Sequence, residues 1–208
     1  MIKIIAIERE YGAGGTAIAE RLAERLGWKL FDRQLTSEIA KLAEVNESAA
    51  ARCDERLDSL IYRLGKVFWR GSYERGLPIS DDKIFDTDRM VLMVQQVIER
   101  AAKQGNCVIV GRGAVWHLRG RPDTLSVFLY APRSEKIKRV TARLKNHSEA
   151  IQLVNAIDNE RAAFVKHYFG LHWPTRPLYH AMLNTAMGEE ICISTILSLA
   201  ETVGDGTK

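Results

Sequence analysis

An apolar stretch, Ile2-Lys3-Ile4-Ile5-Ala6-Ile7, leads through Arg9-Glu10-Tyr11-Gly12-Ala13-Gly14-Gly15-Thr16 into a helical pattern over 15–26. In that pattern Ile18, Leu22 and Leu26 recur every fourth residue, with Ala19 and Ala23 beside them, which gives one apolar helix face. A strand that enters a helix through glycines constrains the fold more than any other part of this chain. It aims backbone N–H groups and the positive end of the helix dipole at one spot, an arrangement suited to an anion. Gly12, Gly14 and Gly15 allow the tight turn without Cβ clashes. Taken alone, the loop could also be a glycine-rich turn that binds nothing. The strand on one side and the helix on the other point to phosphate.

The pattern G-x-x-x-x-G-K-[ST] would need Gly at 9 and Lys at 15. The chain has Arg9 and Gly15 there, with Gly14 and Thr16 in place. The lysine that neutralises transferring phosphates is therefore missing.

At 208 residues the chain suggests one domain with a small insertion. No run of 18 apolar residues is present, so no membrane span is expected. The cysteines, Cys53, Cys107 and Cys192, are far apart and form no C-x-x-C pair, which fits a reducing compartment. Cys107 and Cys192 lie among apolar residues and read as core fillers. The first residues enter a strand with no signal-peptide pattern, so the expected location is the cytoplasm. The net charge of +4 is mild. Its clusters at 112–121 and 133–145 suit a solvated basic face or an anionic small molecule, and give nucleic acid little support.

Strand-like and helical segments alternate, which predicts an α/β fold with a mainly parallel sheet. Strands are expected at 28–31, 107–110 and 125–130, and helices at 86–103, 133–145 and 148–168. Helical spacing also marks 35–64, and 69–82 reads as a loop. The residues after 175 are ambiguous. Both 179–183 and 191–194 have strand patterns, yet Ile193, Ile196, Leu197 and Ala200 fit a helix face. Residues 204–208 read as a frayed tail.

In open parallel sheets ligands gather at the carboxyl ends of strands. Residues 12–16 follow the first strand, Asp32 the second, Arg112 the strand at 108–110, and Arg133 and Lys136 the strand at 125–130. A phosphate nest edged by arginines, with carboxylates for Mg²⁺ or an acceptor, is the inventory of phosphoryl transfer. Each residue has a plainer reading. Arg112 could bond nearby carbonyls, Asp32 could cap a helix, and Asp158 with Arg161 could be an ordinary i,i+3 pair. The histidines, His117, His147, His167, His172 and His180, show no metal-ligand spacing. Phe164, Tyr168, Phe169 and Trp173 are expected to pack.

Taken together, the stretch 7–15, Phe31-Asp32, Val108-Ile109-Val110-Gly111-Arg112-Gly113-Ala114 and Val127-Phe128-Leu129-Tyr130-Ala131-Pro132 resemble the cytidylate kinase-like family. These are relatives of the P-loop nucleoside-monophosphate kinases. Tyr168-Phe169-Gly170-Leu171-His172-Trp173, Leu178-Tyr179 and Leu183-Asn184-Thr185 resemble the family's C-terminal pattern, so the likeness spans about 2–200. It implies a three-layer P-loop kinase-like fold whose five-stranded parallel sheet has the order 2-3-1-4-5. It also implies an acceptor-binding helical region at about 33–104, a lid at about 133–168, a last strand at 179–183 and a closing helix at 189–203. The resemblance matches Gly12, Gly14 and Thr16 to the family's phosphate loop and puts Gly15 at the lysine's position, so Gly12, Ala13, Gly14, Gly15 and Thr16 are expected to hold the nucleotide, with Thr16 the expected Mg²⁺ ligand. Arg9, at the other end of the loop, is a further candidate for the nucleotide, in place of the lysine's charge. Asp32, Arg112 and Asp158 fall to the acceptor, and Arg112, Asp158, Arg161, Arg139 and Arg143 to catalysis. The family's Gly-Arg-Asp motif is Gly111-Arg112-Gly113 here, so a carboxylate is missing as well.

The reaction so implied transfers the γ-phosphoryl of ATP, with Mg²⁺, to a nucleoside monophosphate, CMP or dCMP first. The absent lysine favours a second reading, a catalytically weak nucleotide-binding sensor or interaction module. A third is a kinase for another small phosphate acceptor. The lid and acceptor region are expected to stand open without ligand and to close over it, bringing Arg139 or Arg143 toward the phosphates. Oligomeric state is not read from the sequence.

Overall fold

The structure, a computed structural model, describes residues 1–32 and 87–205. The helical pattern at 35–64, the loop at 69–82 and Cys53 lie outside the described residues, as do 206–208. Five strands form one parallel sheet in the order β2-β3-β1-β4-β5. They are β1 (Ile4–Arg9), β2 (Lys29–Phe31), β3 (Cys107–Val110), β4 (Thr124–Tyr130) and β5 (Ala181–Asn184). The order agrees with the one implied by resemblance.

Counted among the described residues, the helices are α1 (Gly15–Leu26), α2 (Thr87–Gln104), α3 (Ala114–His117), α4 (Arg133–Leu144), α5 (His147–Phe169) and α6 (Glu189–Asp205). Two 3-10 turns, Arg176–Leu178 and Thr185–Met187, flank β5. The stretch 191–194 is thus helical, and α6 carries on through Asp205 where a frayed tail was expected.

Every residue of β1 is buried, because the strand lies between β3 and β4 with helices on both faces. Ile5, Ile7, Val108, Val110, Leu125, Val127 and Leu129 meet Ile18 and Leu22 of α1 and Ile193 and Ile196 of α6. On the other face Ile4, Ala6, Cys107 and Ile109 meet Val94, Val97 and Ile98 of α2, Trp116 of α3 and Phe164 of α5. Each fully buried Ile or Leu contributes on the order of 1.5–3 kcal/mol, so the sheet ends are held rigidly. Burial also pushes the Cys107 thiol up to about 11, the behaviour of a core filler and not a nucleophile.

A third, smaller core bears on the site. Tyr11, from the glycine loop, is enclosed by Ile137 and Val140 of α4 and by Ala150, Val154 and Ile157 of α5. These two helices form a hairpin. Lys145 ends α4 at φ 56, and the Asn146 side chain caps α5 by accepting from the Glu149 N–H at 3.2 Å.

Candidate active site

The β1 ladder extends two residues beyond the apolar run read from sequence. Glu8 pairs with Phe128 and Arg9 with Leu129 in register. Both charged residues therefore belong to the rigid strand, on opposite faces of the sheet. The chain then turns through Gly12 (φ 79) and Gly14 (φ 78), backbone that glycine adopts without strain. Gly14 caps α1 with no side-chain hydrogen bond. Among the described residues, no oxygen accepts from the N–H groups of Gly12, Gly14, Gly15 or Thr16. Unused amides at the start of a twelve-residue helix are what an anion cradle requires.

Arg9 is 5% exposed, and its side chain fills the space beside two glycines. A Cβ at Gly15 would stand 2.8 Å from Arg9 Cγ, and a Cβ at Gly111 would stand 2.1 Å from Arg9 Nη1. The guanidinium also lies 3.9 Å from Asp32 at the end of β2, and Asp32 is itself buried. Arg9 thus runs from the cradle to the carboxyl ends of β3 and β2.

Asp158 of α5 ties the loop down. Its Oδ1 accepts from the Tyr11 N–H at 2.8 Å and its Oδ2 from Lys136 Nζ at 2.9 Å. Lys136 also reaches Glu10 Oε2 at 2.9 Å. Burial disfavours charge on Lys136, but the two carboxylates outweigh it and hold its pKa above the usual lysine value. Arg161 lies 3.4 Å from Asp158 Oδ1 and donates to the Arg9 carbonyl at 2.8 Å. The i,i+3 pair is present, and it also braces the loop.

Helix α4 lies directly on the loop. A Cβ at Gly12 would stand 2.9 Å from Val140 Cγ2 and 3.0 Å from the Lys136 carbonyl oxygen. Arg139 donates to the Ala13 carbonyl at 3.0 Å, to Thr185 Oγ1 at 2.8 Å and to the Thr185 carbonyl at 3.1 Å. Thr185 Oγ1 in turn donates to the Ala13 carbonyl at 2.7 Å. Arg143 donates to the Tyr11 hydroxyl and lies over its ring. The segment expected to stand open is therefore seated on the loop in this structure, because Tyr11 is part of its core. Thr185 went unassigned at the sequence level; its position directly after the last strand was the available signal.

After β3, three successive residues have positive φ: Gly111 (68), Arg112 (59) and Gly113 (73). Arg112 is 6% exposed. A Cβ at Gly113 would come within 3.1 Å of Phe169, which stacks on Trp116. An aspartate here would sit at positive φ and would need Phe169 to give way, so the position is strained for the residue of the related motif. The other aromatics pack as expected, with Phe164 against Tyr168 and Trp173 against Phe128.

Glu8, not singled out from the sequence, is buried among this aromatic layer. Burial raises its carboxyl above the ordinary value, while the charges of Arg9 and Arg161 act against the rise. Tyr179 is pushed upward by burial and by Glu8.

The sequence model of the cytidylate kinase-like family matches residues 4–187. The curated cytidylate kinase of Pseudomonas aeruginosa (strain LESB58) is 24% identical over 222 residues, covering 98% of this chain and 97% of its own. Among solved structures, an uncharacterized protein from Eubacterium ventriosum ATCC 27560 superposes with a TM-score of 0.63 at 21% identity, covering 95% of this chain and 99% of its own. Shikimate kinase from Acinetobacter baumannii in complex with shikimate gives a TM-score of 0.52 at 16% identity, covering 97% and 94%. These likenesses establish the P-loop kinase fold. The family match begins at the first residue of β1, ends at the turn beyond β5 and so takes in the whole sheet; the chain belongs to the cytidylate kinase-like family.

Proposed function

We propose that this protein is a phosphotransferase that moves the γ-phosphoryl group of ATP to a nucleoside monophosphate, with CMP or dCMP the first acceptors to test. The observation that carries this reading is the set of unused amides at Gly12, Gly14, Gly15 and Thr16, bordered by the buried Arg9 guanidinium. Unused N–H donors at a helix start beside a buried guanidinium suit a phosphate chain in sign of charge. Arg9 and the residues 12–16 would hold the donor. Asp32, Arg112 and Asp158 are assigned to the acceptor, whose region at about 33–104 is described only from residue 87 onward.

Phosphoryl transfer needs positioning and charge neutralisation more than proton chemistry. In this assignment Arg112 and Arg161 stabilise charge on the transferring group, and Asp158 fixes the loop through the Tyr11 N–H. Arg139 and Arg143 hold the roof of the cradle through Ala13 and Tyr11. Among the described residues, no group of three or more His, Cys, Asp or Glu forms a metal cage. Mg²⁺ in phosphoryl-transfer sites is commonly held by one or two protein oxygens and the phosphates themselves, so the Thr16 hydroxyl in the first turn of α1 suits it. When bound, Mg²⁺ would neutralise charge on the phosphate oxygens.

A coupled assay of ADP release over a panel of nucleoside monophosphates tests the proposal, with the highest turnover expected on CMP or dCMP. Tight ATP binding without ADP formation on any acceptor would support the sensor reading instead. That rival draws on the seating of Arg139 and Arg143, whose described bonds are to the protein itself. Turnover confined to a non-nucleotide acceptor would support a kinase of another class, an option kept open by the fold shared with shikimate kinase.

A further inference from the structure

We propose that Arg9 is the phosphate-neutralising cation of this site, delivered from the strand, and that Gly15 is glycine because Arg9 occupies the volume a side chain would need there. The inference deepens the nucleotide reading above and rests on it. Its ground is steric. A Cβ at residue 15 would lie 2.8 Å from Arg9 Cγ and 3.0 Å from Arg9 Cβ. Those atoms are the root of the side chain, so relief needs a new χ1 at Arg9 or a backbone shift, not the movement of a flexible tip. A lysine at 15 and the arginine at 9 in its present conformation therefore compete for one volume. The absent lysine and the unexpected arginine are one substitution seen at two positions.

The location of the guanidinium supports the same conclusion. It starts from the last residue of a fully buried strand, and its backbone is fixed by the Arg161 bond to the Arg9 carbonyl at 2.8 Å. It extends past Gly15 to Gly111 and toward Asp32. That path joins the donor cradle to the strand ends where the acceptor is assigned. Gly111 completes the channel, since any side chain there would meet Nη1. The ion pair with Asp32, 3.9 Å away, holds the guanidinium at the end of β2. A guanidinium keeps its charge at any accessible pH and can grip two phosphate oxygens at once.

The test is a reciprocal exchange. Affinities for MgATP and for inorganic tripolyphosphate are measured calorimetrically, without any acceptor, for the wild type, Arg9→Gly, Gly15→Lys and the double variant. Unfolding curves accompany each protein. Each single variant should lose about 10–100-fold in affinity, the scale of one charge-assisted hydrogen-bonding group, and the double variant should recover most of it. Arg9→Gln, which keeps the stem and removes the charge, should weaken MgATP but leave adenosine binding unchanged. It serves as the deciding variant if either single change fails to fold. Four results would overturn the proposal: a double variant no better than the weaker single one, Gly15→Lys binding as well as wild type, Arg9→Gln binding MgATP normally, or wild type binding neither probe. Wild type that binds both probes yet phosphorylates no acceptor would remove the kinase reading and leave the role of Arg9 standing.

Discussion

Two glycine turns stand side by side at the carboxyl end of the sheet, and they have departed from the related kinase motifs in different ways. The turn after β1 carries glycine at 15 where a lysine would stand, and the intruding side chain is Arg9. The turn after β3 carries glycine at 113 where an aspartate would stand, and the intruder is Phe169. The first replacement places a buried arginine beside the loop, the cation of the proposal above. The second puts an aromatic ring where a carboxylate would stand, and a ring carries no charge and holds a cation only through its weak quadrupole. The first turn leaves the Gly12, Gly14, Gly15 and Thr16 N–H groups unused among the described residues. In the second, the Gly111 N–H donates to Ile7 at 2.8 Å and the Gly113 carbonyl accepts from Trp116 and His117 at 3.0 Å. The same loss of a signature residue thus leaves a charged neighbour in one turn and an apolar one in the other.

The contrast can be broken most sharply through its arginines. If Arg112 carries the second turn's remaining polar function, Arg112→Ala should lower kcat on the order of 10²–10³-fold, as should Arg161→Ala beside the first turn. Thermal unfolding should move far less than turnover. A loss of activity no larger than the loss of folded protein would make both residues structural. Restoring the missing carboxylate comes next. Gly113→Asp should destabilise the fold by about 1–3 kcal/mol, from positive φ and from displacement of Phe169. Urea denaturation reads this directly, and wild-type stability would mean that Phe169 is not what keeps residue 113 a glycine.

A smaller effect is expected from the buried carboxylate between the turns. Burial raises the folded pKa of Glu8 above the ordinary 4.5. Its favourable contribution is therefore complete below that value and is lost as pH rises through the folded pKa. Glu8→Gln cannot ionise, so its stability relative to wild type should be greater at pH 7 than at pH 4. An unchanged difference across that range would mean that Glu8 ionises freely in the folded protein. The smallest effect is expected at the α4–α5 hairpin. Because Tyr11 roots it in the loop, saturating MgATP should leave amide exchange over 133–169 nearly unchanged. A large gain in protection would reinstate the closing lid expected from the sequence.

Most of the sheet was legible because buried parallel strands and amphipathic helices leave strong periodic marks. Helix α1 and strand β3 fall where the pattern placed them, and the other described helices agree within two residues, α3 and the C-terminal region apart. The apolar run stops at Ile7, whereas the β1 ladder carries on through Glu8 and Arg9. The short β5 is only partly buried and flanked by 3-10 turns, so it has no apolar run to distinguish it from 191–194. Helix α3, a single turn after the left-handed run, left no periodicity at all. In the site, the glycine loop and the arginines could be named from local pattern. The bond from the Tyr11 N–H to Asp158 and the bonds of Thr185 to Ala13 and Arg139 could not, since such pairings are fixed only by the tertiary fold.

Those distant braces give the site a place in the order of folding. Tyr11 is separated from Asp158 by 147 residues of chain, and Ala13 from Thr185 by 172. During synthesis the loop emerges well before its braces. Contacts that close such long stretches of chain form slowly and late. A partly folded chain could hold β1 and α1 together and still present a loose, unbraced cradle. Nucleotide affinity would then appear only with the final docking of α5 and β5. From that moment ligand would stabilise the native state by mass action, so the nucleotide acts as the last clasp of folding.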